Sequence, residues 1–318
     1  MKLSRWKAIA GFFLAAVLTA PAFGATTALP GTLNYVEGQA QIGSQDLSAK
    51  SIGSADLQPG QTITTGNGRA EILLTPGVFL RLDDNSAAKM ISPSLTNTEV
   101  ALNKGRASLE VAEIHKQNAI KIAEEGATTQ VLKNGLYEFD ADQGNVQVFD
   151  GKSKVQAADK SINLKGGREL SLNSTPLKAH KFDKKKAEND FYNWSDLRSQ
   201  YEAEANVDAA GIVPSGYAGP GWWWDPWFSA YTFVPGDGIF YSPFGWGFYS
   251  PAFINYAPFY YGRPYGYYGH GYRYYSHGYR PHGFSGARAV RPAPAIHGGG
   301  FGAVHSGSFG SPHTAIRH

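Results

Sequence analysis

The chain of 318 residues contains no cysteine and only two methionines. Without cysteine there are no disulfides, no thiolate metal sites and no cysteine nucleophile. Charge of one sign is also scarce, since 29 basic residues face 26 acidic ones and leave a net charge of +3. That balance gives no global electrostatic case for nucleic-acid binding. Beyond residue 210 lysine disappears, the acids are reduced to Asp225 and Asp237, and six arginines remain. Long apolar runs are missing as well. The longest, Ile9–Ala20, falls short of the roughly 20 residues a spanning helix needs. Between residues 30 and 172 helical spacing is weak, and no G-x-S-x-G nucleophile elbow occurs.

The apolar run that does exist has a clear context. Lys2, Arg5 and Lys7 precede it, and small residues follow at Ala20-Pro21-Ala22 and Ala22-Phe23-Gly24. A basic start, a short apolar stretch and small residues at the cleavage positions predict a secretory signal peptide, residues 1–24, cut after Gly24 or after Ala22. The mature protein is expected outside the cytoplasm, in the periplasm or at the cell surface, with no transmembrane span.

The first half of the chain reads as strand after strand. In Gly68–Leu82, Ala70, Ile72 and Leu74 alternate with Arg69, Glu71 and Leu73; after Thr75-Pro76-Gly77, Val78, Leu80 and Leu82 alternate with Phe79 and Arg81. A period of two sends alternate side chains to opposite faces, and Pro-Gly suits the tight turn between them. The pattern predicts an antiparallel hairpin. A short grammar recurs: a glycine, then small or apolar residues at every second position, as in GQAQI from Gly38, GRAEI from Gly68, GRASL from Gly105, GLYEF from Gly135 and GNVQV from Gly144. The intervals are irregular, so these read as turn glycines of repeated hairpins rather than as a solenoid. Asn134-Gly135 and Asp150-Gly151 have the chemistry of two-residue hairpin turns. The expected class is all-β, an antiparallel sandwich or roll of many short strands.

Five pieces in order carry a family resemblance: Thr65–Ile72 (TGNGRAEI), Val78–Leu82 (VFLRL), Leu102–Val111 (LNKGRASLEV), Tyr137–Val155, and the closing Leu164–Leu170. Together they resemble the bacterial FecR-type domain. The resemblance implies a periplasmic β-rich domain which, in the regulatory members, relays a signal from an outer-membrane receptor to a cytoplasmic sigma factor. Those members carry a cytoplasmic segment and a transmembrane helix ahead of the domain. A cleavable signal peptide resembles instead the secreted, stand-alone FecR-domain proteins.

The remaining segments divide as follows. The FecR-like β domain spans 30–180. Residues 181–210 carry Phe191, Trp194, Leu197 or Arg198, and Tyr201 at helical spacing. They predict an amphipathic helix that either caps the β domain or binds a partner. Lys184–Lys186 would oppose the dipole at its start, which places that start near Asn189 or Asp190. Residues 211–261 are rich in Trp, Tyr and Pro. Residues 262–318 are rich in Gly, His and Arg, with seven of the nine histidines, and are expected to be disordered.

For chemistry, His115 and His180 read as ordinary loop or strand residues, and Asp140, Asp142 and Asn145 as a turn rather than a calcium loop. The tail histidines could in principle converge on a transition metal, but their spacing matches no compact site. No catalytic residue, cofactor or metal is expected. The candidate interaction surface is Trp222, Trp223, Trp224, Trp227 and Trp246, whose rings suit interfaces. Alternatively, Trp222–Trp227 fold back over the β domain as a lid. The expected function is a non-enzymatic, exported interaction module in the cell envelope. Its partner would be a protein, with an outer-membrane receptor implied by the resemblance, and its tail would adhere to envelope polysaccharide. The alternative is signal transduction linked to sigma-factor control, acting in trans; a polysaccharide-binding or polysaccharide-active protein has less support. On this reading, deleting residues 211–318 leaves a folded domain.

Overall fold

The computed structural model describes residues 28–213 and 219–257. The expected signal peptide, the stretch 262–318 with its histidines, and the ends of the aromatic segment lie outside the described residues. The chain divides into two units, Met1–Arg263 and Pro264–His318, and every described residue belongs to the first. Among the described residues no helix is long and apolar enough to cross a membrane.

The Gly68–Leu82 hairpin forms as its alternation requires. Ala70 pairs with Leu82, and Leu73 with Phe79, across the Pro76-Gly77 turn. The first of its strands is longer than the hairpin needs. Thr62–Leu73 runs for twelve residues, and Leu33–Ile42 pairs along nearly its whole length. Its early residues, Thr62–Thr64, pair with Ala87–Lys89; its late ones pair with Val78–Leu82. Two ladders therefore diverge from one long strand. The first continues through Val78–Leu82, Arg106–Val111, Gly135–Asp140, Asn145–Val148 and Arg168–Ser171, ending at His180–Lys181. The second continues through Ala87–Ser94, Asn97–Lys104, Ile120–Glu124, Ala127–Val131, Lys152–Ala157 and Lys160–Lys165. All pairs are antiparallel except that of Asn97–Lys104 with Ile120–Glu124. The inward residues of both ladders, among them Ile72, Leu80, Leu109, Phe139, Val146, Ile122, Val155 and Leu164, form one core. The fold is an all-β roll.

This winding corrects the reading of the glycines. Gly144 does sit in a hairpin, with Asp140 paired to Asn145. Asn134-Gly135 and Asp150-Gly151 do not. The strands on either side of each turn belong to different ladders, so these turns are corners where the chain changes ladder. They lie against one another: a Cβ on Gly135 would stand 2.2 Å from the Asp150 carbonyl oxygen, and one on Gly151 would stand 2.6 Å from that of Asn134. Only glycine permits this approach. The Tyr137 hydroxyl closes the corner, donating to the Lys133 carbonyl (2.5 Å) and accepting from the Lys152 amide (3.0 Å). Gly38 and Gly68 mark another close crossing, at the bulge where Leu33–Ile42 follows the bend of Thr62–Leu73. A corner and a hairpin ask the same backbone freedom of glycine, so local sequence does not separate them.

The outward face of the first ladder is also covered. A helix, Asp190–Ile212, lies on it, capped by the Asn189 side chain, which accepts from the Phe191 and Tyr192 amides. The three lysines fall in a separate short helix, Lys184–Ala187, so they do not oppose the long helix's dipole. The buried stripe of the long helix is Phe191, Ser195, Arg198, Ser199, Glu202, Ala203, Ala205, Asn206, Ala209 and Ala210. Of the residues at helical spacing, Phe191 and Arg198 fall in this stripe, whereas Trp194 and Tyr201 are half-buried and Leu197 is exposed. The stripe is mostly polar and small; Arg198 and Ser199 find partners on the sheet, and Asn206 on the aromatic strands.

The aromatic segment completes the layer. Gly221–Asp225 pairs with Ala230–Val234, and Ile239–Tyr241 with Gly247–Tyr249. Trp222, Phe233 and Phe248 pack on Phe79, Leu73 and Ala203 in a second core. The Phe79 ring centre lies 5.1 Å from that of Trp222 and 6.0 Å from that of Phe248. The lid alternative matches these contacts, and a chain cut at residue 210 would uncover this core.

Candidate functional site: a buried charged layer and the cleft at its edge

Along the outward face of the first ladder, register places Tyr35, Glu71, Arg81, Ser108, Glu138, Gln147 and Glu169 in one row across neighbouring strands. Where the helix covers this row, the charges are fully buried. Arg81 Nε donates to Glu71 Oε2 (2.6 Å), and its Nη1 to Glu110 Oε2 (2.5 Å), with no side-chain exposure on any of the three. From the helix, Arg198 Nη2 donates to Glu71 Oε1 (3.0 Å) and to Glu202 Oε1 (2.6 Å), and Ser199 Oγ to Glu110 Oε1 (2.8 Å). Asn34 ties in the aromatic segment. Its Nδ2 donates to Glu71, to Glu202 and to the Tyr231 carbonyl at 2.9–3.0 Å, while its Oδ1 accepts from the Tyr231 amide at 2.7 Å. Asn206 repeats the device, donating to the Phe233 and Tyr249 carbonyls and accepting from the Tyr249 amide.

Two guanidiniums thus face three carboxyls. Burial pushes the Glu71 carboxyl up, but Arg198 and Arg81 overcome it and hold the group at about 2. Burial and the neighbouring Glu71 charge push Glu202 well up. Burial also raises Glu110, against the pull of Arg81. What this arrangement does chemically is clamp. It joins residues up to 197 positions apart in sequence and fixes helix and aromatic strands in one register on the sheet.

At the edge of the layer a cleft of about 190 Å³ opens, lined by Arg106, Glu138, Asp140, Gln143, Asn145, Gln147 and Asn189. Arg106 and Arg69 are both bound to Asp83. Burial raises the Glu138 carboxyl to about 8, Arg106 countering and Asp83 adding to the effect, and one Glu138 oxygen has no hydrogen-bond partner. Glu124, on the second ladder, is likewise raised by burial to about 8. Among the described residues no group of three or more His, Asp or Glu could hold a metal ion.

These two carboxyls predict a pH dependence. Unfolded, each ionises near 4.5; folded, each keeps its proton to about 8. Between those values the native state binds more protons, so stability falls as pH rises through the window. The interval corresponds to on the order of 4–5 kcal/mol per group as an upper value. The thermal midpoint is expected to drop from pH 5 to pH 8.5, and Glu138→Gln and Glu124→Gln each to flatten that slope. A parent midpoint constant over this range would contradict the assignment.

Residues 61–156 match the family model described as FecR protein. The chain carries a FecR domain. The matched residues include Glu71, Arg81 and Glu110, whereas Asn34, Arg198 and Glu202, which complete the layer, lie outside them. Two crystal structures of a candidate anti-sigma factor from Parabacteroides distasonis ATCC 8503 align at 16% identity with a TM-score of 0.35, over 40% of this chain. The chain spans 62% of the length of those structures. No curated protein matches the chain.

Around the FecR domain the five tryptophans of the candidate surface take different places. Trp222 is buried on Phe79. Trp223 and Trp224 are half-buried on opposite faces of their strand, Trp224 edge-on to Tyr231 at 5.2 Å and packed over Gly53. Trp246 donates from Nε1 to Asp196 on the helix at 2.6 Å. Trp227 stands at the hairpin tip, 87% exposed. The charged layer itself was not singled out from the sequence. The signal was present in Leu73 and Phe79: a strand pair with large apolar residues on both faces is covered on both, and Glu71 and Arg81 share the face with them.

Proposed function

We propose that this is an exported, non-enzymatic FecR-domain protein of the cell envelope, acting as a protein-interaction module whose contact point is the Trp227 hairpin tip. The observation that carries the reading is a large exposed ring on a rigid support. The Asp225 carboxylate accepts from the Trp227 and Phe228 amides (2.7 and 3.2 Å), and Phe228 packs on Tyr201 of the helix. An exposed tryptophan held in one place loses little freedom on binding and is the type of residue that dominates interfaces. A photo-crosslinking residue at position 227, expressed in the producing cell, is expected to yield a discrete adduct with one envelope protein. The same probe at the exposed position 212, at the C-terminal end of the helix, is expected to yield none. Trp227→Ala is expected to abolish the interaction while changing stability by less than about 0.5 kcal/mol. An exported chain also predicts a product in the periplasmic or surface fraction that has lost residues 1–24. Recovery of an uncleaved chain in the cytoplasm would refute that part.

The match of residues 61–156 to the FecR family favours a second reading, envelope signal transduction linked to sigma-factor control in trans. It predicts that deleting the gene alters transcription from promoters of one alternative sigma factor. Unchanged transcript levels under envelope stress would remove it.

A further inference from the structure

The outward face of the first ladder is covered, but that of the second is open, and it gathers cations. With Ser153, Val155 and Leu164 pointing inward, Lys152, Lys154 and Lys165 project from this open face. Lys152 stands directly opposite Lys165 in the antiparallel register. The Gly166-Gly167 corner then carries the chain to Arg168, which stands directly opposite Lys181. The Lys184 side chain lies against Gly167, its Cε 3.7 Å from where a Cβ would be. Like charges directly opposite one another destabilise a sheet, and here two such pairs follow one another across the Gly166-Gly167 corner.

The fold relieves them only in part. None of these six cations forms an ion pair among the described residues, whereas Lys121 on the same open face has Glu99 at 3.7 Å. Two acids lie close by and pair with none of the six: Asp150, whose Oδ1 stands 3.6 Å from where a Cβ on Gly166 would be and accepts from the Gly151 amide (2.8 Å), and Asp183, which accepts from the Lys185 amide (3.1 Å). Beside Lys152, Leu132 is 38% exposed, and its amide donates to the Lys152 carbonyl. The Phe182 ring, next to Lys181 in the chain, is packed edge-on against Phe149, and Tyr137, bonded to the Lys152 backbone, is buried, so neither offers a free face on which a base would stack.

We propose that this basic corner docks the protein on an anionic lipid surface. Headgroup phosphates supply the missing counter-charge between the paired cations, and Leu132 meets the interface. An anionic leaflet attracts each nearby Lys or Arg by about 1 kcal/mol, which is about fivefold in partition.

The test is co-sedimentation of the mature chain, residues 25–318, with vesicles of phosphatidylcholine alone or with about 30% phosphatidylglycerol added, a proportion that sets a substantial surface potential. The ratio between the two cancels any contribution from apolar segments. The parent is expected to favour the anionic vesicles, less so as salt rises. The double variant Lys165→Glu, Lys181→Glu turns both like-charge pairs into opposite-charge pairs. Its thermal midpoint is expected to be equal to or above the parent's, while the preference falls by about 25-fold or more. Lys154→Gln with Lys184→Gln, both at exposed positions, serves as the second variant and is expected to weaken binding by about 25-fold. Unchanged preference in the variants would overturn the proposal. So would a chain that ignores the anionic vesicles but binds a sulfated polysaccharide or duplex DNA through the same residues.

Discussion

Replacing Arg81 with methionine is expected to destabilise the protein by about 3–5 kcal/mol in urea unfolding at pH 7, the cost of leaving a buried charge without its partner. The residue has no exposed side-chain surface and bridges Glu71 and Glu110. Methionine fills much of the same volume, so the loss reports charge and not a cavity. Glu71 retains Arg198, but Glu110 keeps only the Ser199 hydroxyl and must take a proton or unfold. Adding Glu110→Leu removes the orphaned carboxyl and is expected to return a large part of the stability, since replacing both members of a buried pair is far milder than removing one. A loss below about 1 kcal/mol for the single variant would mean that water reaches the layer. The helix would then not seal it.

Ending the chain after Val213 is expected to abolish the stable fold, whereas ending it after Ala257 is expected to preserve it. The shorter chain loses Trp222, Phe233 and Phe248, each worth about 1.5–3 kcal/mol of burial. It also uncovers Phe79 and Leu73 and strips Asn34 and Asn206 of backbone partners. The total is comparable with the whole stability of a typical domain, about 5–15 kcal/mol. Circular dichroism with thermal melting of both truncations decides the matter. Limited proteolysis gives an independent check, with a protected fragment expected to include Tyr249. A cooperative transition at the parent's midpoint in the chain ending at Val213 would show the aromatic strands to be dispensable.

Much of the fold was legible in the residues. Alternation in GRAEILL and VFLRL placed the first hairpin and its inner face, and Asn189 marked the start of the helix. Period-two patterning reports local geometry, and local geometry is what a turn or a cap is made of. Ladder membership was not legible. Gly135 and Gly151 look like hairpin turns because a corner needs the same positive-φ backbone. Only the long-range pairing of Lys152–Ala157 with Ala127–Val131, rather than with Asn145–Val148, distinguishes the two.

The charged layer was hidden for a related reason. Glu71 and Arg81 sit where an exposed face would carry charge, and an isolated strand does not show whether water or another element lies above it. The partners that decide this, Arg198 and Glu202, are more than a hundred residues away. The buried face of the helix was legible only in part. Phe191 and Arg198 of the spaced residues are buried, but so are Ser195, Ser199, Glu202 and Asn206, three of which meet distant partners: Ser199 on Glu110, Glu202 on Asn34 and Asn206 on the aromatic strands.

By itself, then, the sequence determined the class of the fold, the strands and their inner faces, and the family resemblance, all properties of short-range pattern. Tertiary structure alone decided that the described part of the aromatic segment is a folded layer, that five ionisable side chains are buried between sheet and helix, and that of the five candidate tryptophans Trp227 is the one left in solvent. Burial is a property of what lies opposite a residue, and what lies opposite is set by contacts across the whole chain.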